Sequence, residues 1–147
     1  PRSPIQNAVH TLSDDDQEHI EITFTKDGEN LPTLQGNAFE VQQLATNLIE
    51  NAIYATQNSN PPRIQIRGES TSDAFKLEFE DNGSGIPDHI IDNIFDPFFT
   101  TKPPGKGTGL GMSIVKGIVE RMEGKITVES EPGHGTLFTL TFPLDPD

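Results

Sequence analysis

The chain has 147 residues and a mass of 16.1 kDa, the size of one domain with a substantial core. It contains no cysteine, which excludes disulfide scaffolds, thiol catalysis and cysteine-ligated zinc. Ten basic against 23 acidic residues give a formal charge of −13, the opposite of what phosphate contacts with a nucleic acid need.

Apolar residues are spread along the chain instead of being collected in one long run. No run approaches the ~18 residues of a membrane span, and the N-terminus has no signal-peptide pattern. We therefore expect a cytoplasmic domain without direct membrane contact, even if the parent protein is membrane-anchored, and without nucleic-acid contact.

Residues 1–18 are predicted to be a polar lead-in, and residues 19–147 a single domain. Pro1, Pro4 and an acidic run at 14–16 favour an irregular, solvated start to the chain. The acidic run itself is predicted to be a solvated turn.

Alternation of apolar and polar residues predicts several strands and two hairpins. A first strand is predicted where Ile20, Ile22 and Phe24 alternate with polar residues. The remaining predictions are a short strand at 31–35, a hairpin that pairs 64–66 with 75–79, and a closing hairpin that pairs 126–128 with 137–142.

Two segments have strong helical spacing of apolar residues. One begins after Asn37, a predicted N-cap, and ends near Thr56, while the other runs from about Leu110 to Met122. A short helix is also predicted at 90–95. Because helices and strands do not alternate, we predict an α+β fold, with an antiparallel-rich sheet and helices on one face.

Asn47 and Asn51 are four residues apart on the first strong helix and therefore share one face. Two interpretations remain open for them. The amides could cap loop backbone, since a buried amide without a partner costs about 1–3 kcal/mol. Alternatively, an amide oxygen is a neutral ligand for magnesium that also binds phosphates.

Asp81-Asn82-Gly83-Ser84-Gly85 follows a predicted strand. An ordinary Asp-Asn-Gly turn is one interpretation. The other is a ligand-binding loop, in which Asp81 accepts a hydrogen bond and the glycines allow close approach of the backbone. A helix–loop–helix calcium site fails on spacing.

A glycine run from Gly105 to Gly111 leads directly into the second strong helix. Exposed amides at a helix N-terminus can bind an anion, and Lys102 and Lys106 add positive charge. The spacing fits neither the Rossmann nor the Walker pattern. Together with the amide pair and the Asp81 turn, this run predicts a magnesium–nucleotide site. The length of the loop at 97–108 is typical of a lid or of disorder.

Five short motifs occur in order between residues 20 and 143. They are Asn47-Leu48-Ile49-Glu50-Asn51-Ala52, Asp81-Asn82-Gly83-Ser84-Gly85-Ile86, Phe95-Asp96-Pro97-Phe98-Phe99, Gly107-Thr108-Gly109-Leu110-Gly111 and Gly133-His134-Gly135-Thr136-Leu137-Phe138. With this order and spacing, the chain resembles the catalytic and ATP-binding domain of sensor histidine kinases, in the gyrase, chaperone, kinase and mismatch-repair ATPase superfamily.

The resemblance implies a two-layer α/β sandwich of the Bergerat type. Its sheet would be mixed but mostly antiparallel, with helices on one face and a flexible ATP lid between Phe99 and Thr108. ATP and Mg²⁺ are the implied cofactors.

The resemblance also assigns roles to individual residues. Asn51 would coordinate magnesium, Asn47 would contact the phosphates, and both would be catalytic. Asp81 would accept from the adenine amino group, with Thr136 on the same side. Gly83 and Gly85 would admit the base and the lid, and Gly109 and Gly111 would present amides to the phosphates. The other implied nucleotide-binding residues are Tyr54, Ala55, Ile86, Phe99, Thr101, Lys102, Gly107, Thr108 and Leu110.

Asn47 separates the branches of this superfamily. Hydrolytic members carry a glutamate there as general base, and an amide cannot take that proton. The resemblance therefore implies phosphoryl transfer to an external acceptor. Glu50 lies about 100° round the helix from Asn51 and is not assigned the base role.

Neither His10 nor His19 has the helical His–acid pattern of a phosphoacceptor. We expect the acceptor on a separate dimerisation domain of the same kinase, with a response-regulator receiver domain as the second partner. Tyr54 and Ala55 depart from residues common in these kinases. Three alternatives stay open: a serine kinase of the anti-sigma type, a nucleotide-dependent interaction module without transfer activity, and a hydrolytic ATPase.

Overall fold

The computed structural model describes residues 4–24, 38–99 and 111–143, which form a five-stranded sheet with helices packed against it. The elements, in chain order, are α1 (Pro4–His10), α2 (Asp14–Glu18), β1 (Ile20–Phe24), α3 (Ala38–Ala55), β2 (Ile64–Ser70), β3 (Ala74–Asp81), a 3₁₀ turn (Ile91–Asn93), α4 (Gly111–Arg121), β4 (Lys125–Glu131) and β5 (Gly135–Pro143).

The strands lie in the order β1-β2-β3-β5-β4. β1 pairs with β2 in parallel, and the other three pairings are antiparallel. The mixed, mostly antiparallel sheet is thus confirmed, as are both predicted hairpins. In the register of β3 with β5, Asp81 lies opposite Thr136 at one end of the sheet.

The core lies between one face of the sheet and helices α1, α3 and α4. Along β3, Phe75, Leu77 and Phe79 are buried, while the residues between them are less so, because successive strand residues point to opposite faces. On the polar face, Arg67 forms ion pairs with Glu78 and Glu80. The predicted α+β architecture with helices on one face is confirmed.

The start of the chain differs from the predicted polar lead-in. Residues 4–10 form α1, and Ile5, Ala8 and Val9 are buried in the shared core, with Ile5 0% exposed. These residues have the i, i+3, i+4 spacing of one helix face. However, an apolar pattern of only two helical turns among polar neighbours is too short to predict a helix from the sequence. The acidic run also differs, because Ser13 caps a helix there by accepting from the Asp16 N–H.

Two further sequence predictions differ in detail. The short helix predicted at 90–95 is a single 3₁₀ turn over Ile91–Asn93. Phe39 shares the helical apolar spacing of α3 but is 75% exposed. Within the described ranges, no helix has both the length and the apolar character needed to cross a bilayer.

Several sequence predictions concern residues outside the described ranges. They are the strand at 31–35, the N-cap Asn37, the lid at 100–108, and the site residues Thr101, Lys102, Gly107, Thr108, Gly109 and Leu110.

Candidate nucleotide-binding site

A cavity of about 1070 Å³ opens beside the end of β3, bordered by α3, the first turn of α4 and the β4–β5 turn. Every predicted site residue in the described part of the chain lines this cavity. They are Asn47, Asn51, Tyr54, Ala55, Asp81, Gly83, Gly85, Ile86, Phe99, Gly111 and Thr136. Tertiary structure therefore brings together motifs that lie far apart in sequence.

Helix α3 supplies the amide side of the cavity. Asn47 and Asn51 are half-buried and share one helix face, as their spacing predicts. Asn47 Nδ2 donates to the Gly111 carbonyl oxygen at 3.4 Å, a long hydrogen bond that connects α3 to the start of α4. Asn47 thus makes a backbone contact and also lines the cavity, so both interpretations of this amide have structural support.

Asp81 ends β3 and is only 8% exposed. Its Oδ1 accepts from the Gly83 N–H at 2.8 Å, and the carboxyl also accepts from the Thr136 N–H. Burial raises the pKa of Asp81 from 3.8 to about 6, although both backbone hydrogen bonds act in the opposite direction. The result is a preorganised carboxyl group that faces the cavity.

The glycine loop after β3 packs tightly against two other segments. A Cβ on Gly83 would lie 2.5 Å from the Ala55 carbonyl oxygen, at the end of α3. Gly85 has a φ of +79°, and a Cβ there would overlap the Glu131 carbonyl oxygen. Both glycines are therefore required by contacts within the chain itself, in addition to any approach of a ligand.

Two polar residues to which the sequence assigned no role position this loop and the segment before β2. Asn82 accepts from the Arg63 N–H at 2.8 Å and donates to the Pro61 carbonyl at 2.8 Å, so its side chain fixes the preceding loop. Ser130, near the end of β4, accepts from the Ile86 N–H at 2.7 Å. Sequence spacing carries no signal for these contacts, because their partners are 19 to 44 residues away.

Aromatic residues form one wall of the cavity. Phe138 lines it and meets the edge of Phe95, with ring centroids 6.5 Å apart and planes at 72°. The Lys116 ammonium lies 5.4 Å from the Phe95 ring centroid. Phe98 has a φ of +68°, is 73% exposed and does not line the cavity.

The donor set fits a magnesium nucleotide. The described residues contain no group of three or more His, Asp or Glu able to hold a cation by themselves. A magnesium ion at Asn51 would therefore depend on phosphate oxygens and water for most of its ligands, as this ion usually does. The buried carboxyl of Asp81 and the hydroxyl of Thr136 suit the polar edge of a nucleobase.

The family of histidine kinase-, DNA gyrase B-, and HSP90-like ATPases matches residues 36–146. The chain belongs to this family. The resemblance to the catalytic and ATP-binding domain of histidine kinases is confirmed, and ATP is the ligand that this family membership implies.

Similar proteins include sensor kinases and one solved catalytic domain. The chain is 38% identical to sensor kinase CckA of Brucella abortus (strain 2308), in an alignment that covers 79% of this chain and 14% of that protein. It is 34% identical to sensor histidine kinase ZraS of Escherichia coli (strain K12), over 96% of this chain and 30% of that protein. The nucleotide-free catalytic domain of histidine kinase ThkA has a TM-score of 0.77 and 31% identity, with 97% of this chain and 91% of that chain covered.

The chain spans less than a third of each of the two sensor kinases that it resembles. It thus corresponds to the histidine kinase-type ATPase domain of two-component sensor kinases. The ThkA domain, by contrast, matches over nearly its whole length, which confirms the fold class.

Proposed function

We propose that this domain binds Mg-ATP and transfers the γ-phosphoryl group to a histidine on a separate dimerisation domain. A response-regulator receiver domain would then take the phosphoryl group onto an aspartate. The domain would act in the cytoplasm, without contacting membrane or nucleic acid itself.

The observation that carries this proposal is the amide of Asn47 on the cavity wall. A hydrolytic ATPase needs a carboxylate to take a proton from the attacking water, and an amide is not basic enough. The carboxyl groups among the described cavity residues are Glu50 and Asp81. Asp81 is already engaged by two backbone N–H donors, and Glu50 is exposed and lies about 100° round α3 from Asn51.

Each part of the cavity then has a separate role. Asn51 would hold the magnesium ion, and Asn47 would position phosphate oxygens. Asp81 and Thr136 would accept hydrogen bonds from the nucleobase. Bound magnesium would neutralise charge on the phosphates, and positioning would supply most of the remaining catalysis.

The transfer needs no general base from this domain. A bond between the γ-phosphorus and its bridging oxygen breaks, a phosphorus–nitrogen bond forms to the acceptor imidazole, and ADP leaves. The imidazole nitrogen that attacks is the unprotonated one, so no proton has to be removed before attack. This is consistent with a site in which Asn47 and Asn51 act by positioning the phosphates and the metal ion.

The test is to incubate the domain with γ-labelled ATP, magnesium and the isolated dimerisation domain of its parent kinase. We expect acid-labile label on a histidine of that domain, and none when Asn51→Ala replaces the wild-type domain. Label on serine of a partner protein would indicate a serine kinase. Nucleotide binding without any labelled protein would indicate an interaction module, and rapid release of free phosphate would indicate a hydrolase.

A further inference from the structure

The hydroxyl of Ser130 lies where three segments of the cavity wall meet. It is 2.7 Å from the Ile86 nitrogen, at the end of the glycine loop. It is also 2.9 Å from the Gly135 carbonyl oxygen and 2.9 Å from Thr136 Oγ1, both at the start of β5. One half-buried side chain thus connects β4, β5 and the loop after β3.

Counting protons determines the direction of each of these hydrogen bonds. A serine hydroxyl has one proton to donate and two lone pairs that accept. The Ile86 N–H can only donate, and the Gly135 carbonyl can only accept. The Ser130 proton is therefore used by Gly135, and Thr136 must donate its own hydroxyl proton to Ser130.

This direction determines what Thr136 offers to a ligand. Thr136 lines the cavity and is 6% exposed. With its proton held by Ser130, its hydroxyl presents lone pairs and no donor to the cavity. Asp81, its partner across the β3–β5 ladder, is also an acceptor when ionised. The base end of the cavity thus carries two neighbouring acceptors.

We propose that Ser130 is a positioning residue for nucleobase selection, since it keeps Thr136 oriented as an acceptor. Two acceptors favour a purine with an exocyclic amino group at position 6. They disfavour a purine with a carbonyl oxygen there, because two acceptors would then face each other. The inference deepens the proposed function and rests on ATP binding in this cavity.

The experiment measures how well ATP and inosine triphosphate displace a fluorescent ATP analogue, at pH 8 with magnesium. Inosine triphosphate replaces the 6-amino group of ATP with a carbonyl and leaves the phosphates unchanged. In Ser130→Ala, the Thr136 hydroxyl is free to rotate and donate. We therefore expect the ratio of the affinity for ATP to the affinity for inosine triphosphate to fall about fivefold, the value of one hydrogen bond. Ser130→Thr keeps a hydroxyl and should retain the wild-type preference.

Two further variants complete the design. Thr127→Ala lies on the exposed side of the same strand and should leave the preference unchanged. Ser130→Cys keeps nearly the volume of serine but is a weak hydrogen-bonding group, so it should show the shift even if the alanine variant does not fold.

The preference ratio separates positioning from a purely structural role. If Ser130 only stabilises the loop, both nucleotides lose affinity equally in the Ala and Cys variants, and the proposal is overturned. A wild-type domain that ATP does not bind would overturn the proposed function itself. That failure is distinguishable, because it appears before any substitution at Ser130.

Discussion

Ala55 and Gly83 are in contact through the backbone, and this contact attaches the glycine loop to the end of α3. The Ala55 carbonyl oxygen accepts from the Ser84 N–H at 3.2 Å and lies 2.5 Å from the point where a Gly83 Cβ would be. The position of the loop beside the cavity therefore depends on the absence of a side chain at residue 83.

Gly83→Ala should destabilise the domain and weaken nucleotide binding together. The new methyl group would collide with backbone, which cannot rotate away, so we expect a loss of about 2–3 kcal/mol in unfolding free energy. Urea denaturation and isothermal titration with Mg-ATP measure the two effects. Gly117→Ala in α4 is the matched control, because its Cβ would make only an ordinary 3.5 Å contact, and it should be neutral or slightly stabilising.

The carboxyl of Asp81 should titrate near pH 6 in the free domain. Burial makes the charged form costly, and a donor from bound nucleotide would stabilise that form, so nucleotide should lower the pKa. Nucleotide affinity should consequently decrease as the pH falls through about 6. Carboxyl-detected NMR titration with labelled aspartate measures the pKa directly, and Asp81→Asn identifies the resonance.

The same pKa predicts the sign of a stability effect. Because the folded-state value of about 6 exceeds 3.8, the folded domain binds the Asp81 proton more tightly than the unfolded chain. The contribution of this bound proton to the free energy of unfolding is complete below about pH 4 and is lost as the pH rises through about 6. A pKa near 4 in the free domain, or one that nucleotide leaves unchanged, would contradict the assigned role.

Asn51→Ala should abolish Mg-ATP binding and leave the fold intact. Asn51 is half-buried on α3, and alanine is a good helix former, so the unfolding free energy should change by less than about 1 kcal/mol. Removal of magnesium with a chelator should weaken wild-type binding in the same direction. Gln43→Ala, on an exposed face of the same helix, is the control for the substitution itself. Wild-type affinity in Asn51→Ala would rule out the magnesium role.

Asn47→Glu should raise the rate of ATP hydrolysis by the isolated domain. A carboxylate at this position can accept a proton from water, and general-base catalysis typically contributes at least about 100-fold, so even a poorly placed base should give about tenfold. Release of inorganic phosphate measures the rate. Glu50→Gln should leave the low wild-type rate unchanged; a large decrease in that variant would make Glu50 the base.

Ile5→Ala should destabilise the domain by about 3 kcal/mol, because Ile5 is 0% exposed and packs in the core shared with α3. Ile5→Val should cost about 1 kcal/mol. Neither variant should change nucleotide affinity under native conditions, since Ile5 does not line the cavity. Chemical denaturation of the graded pair checks the prediction, and equal stability of all three proteins would show that α1 does not contribute to the core in solution.

Local patterns predicted most of the fold and of the candidate site. The helical spacing up to Ala52 predicts α3, and alternation predicts the β2–β3 hairpin, because both depend on neighbours within one element. The resemblance carried by the five ordered motifs also predicted which of the described residues line the cavity.

By itself, then, the sequence determined the five strands, helices α3 and α4, and which side chains could bind phosphate, metal and base. Only the tertiary structure decided that α1 is buried, that Gly83 makes room for Ala55, and that the hydroxyls of Ser130 and Thr136 lie 2.9 Å apart. These contacts join residues on different elements, and Gly83 and Ala55 are far apart in sequence. Periodicity describes one element at a time, whereas contacts of this kind exist only after the sheet and helices have packed together.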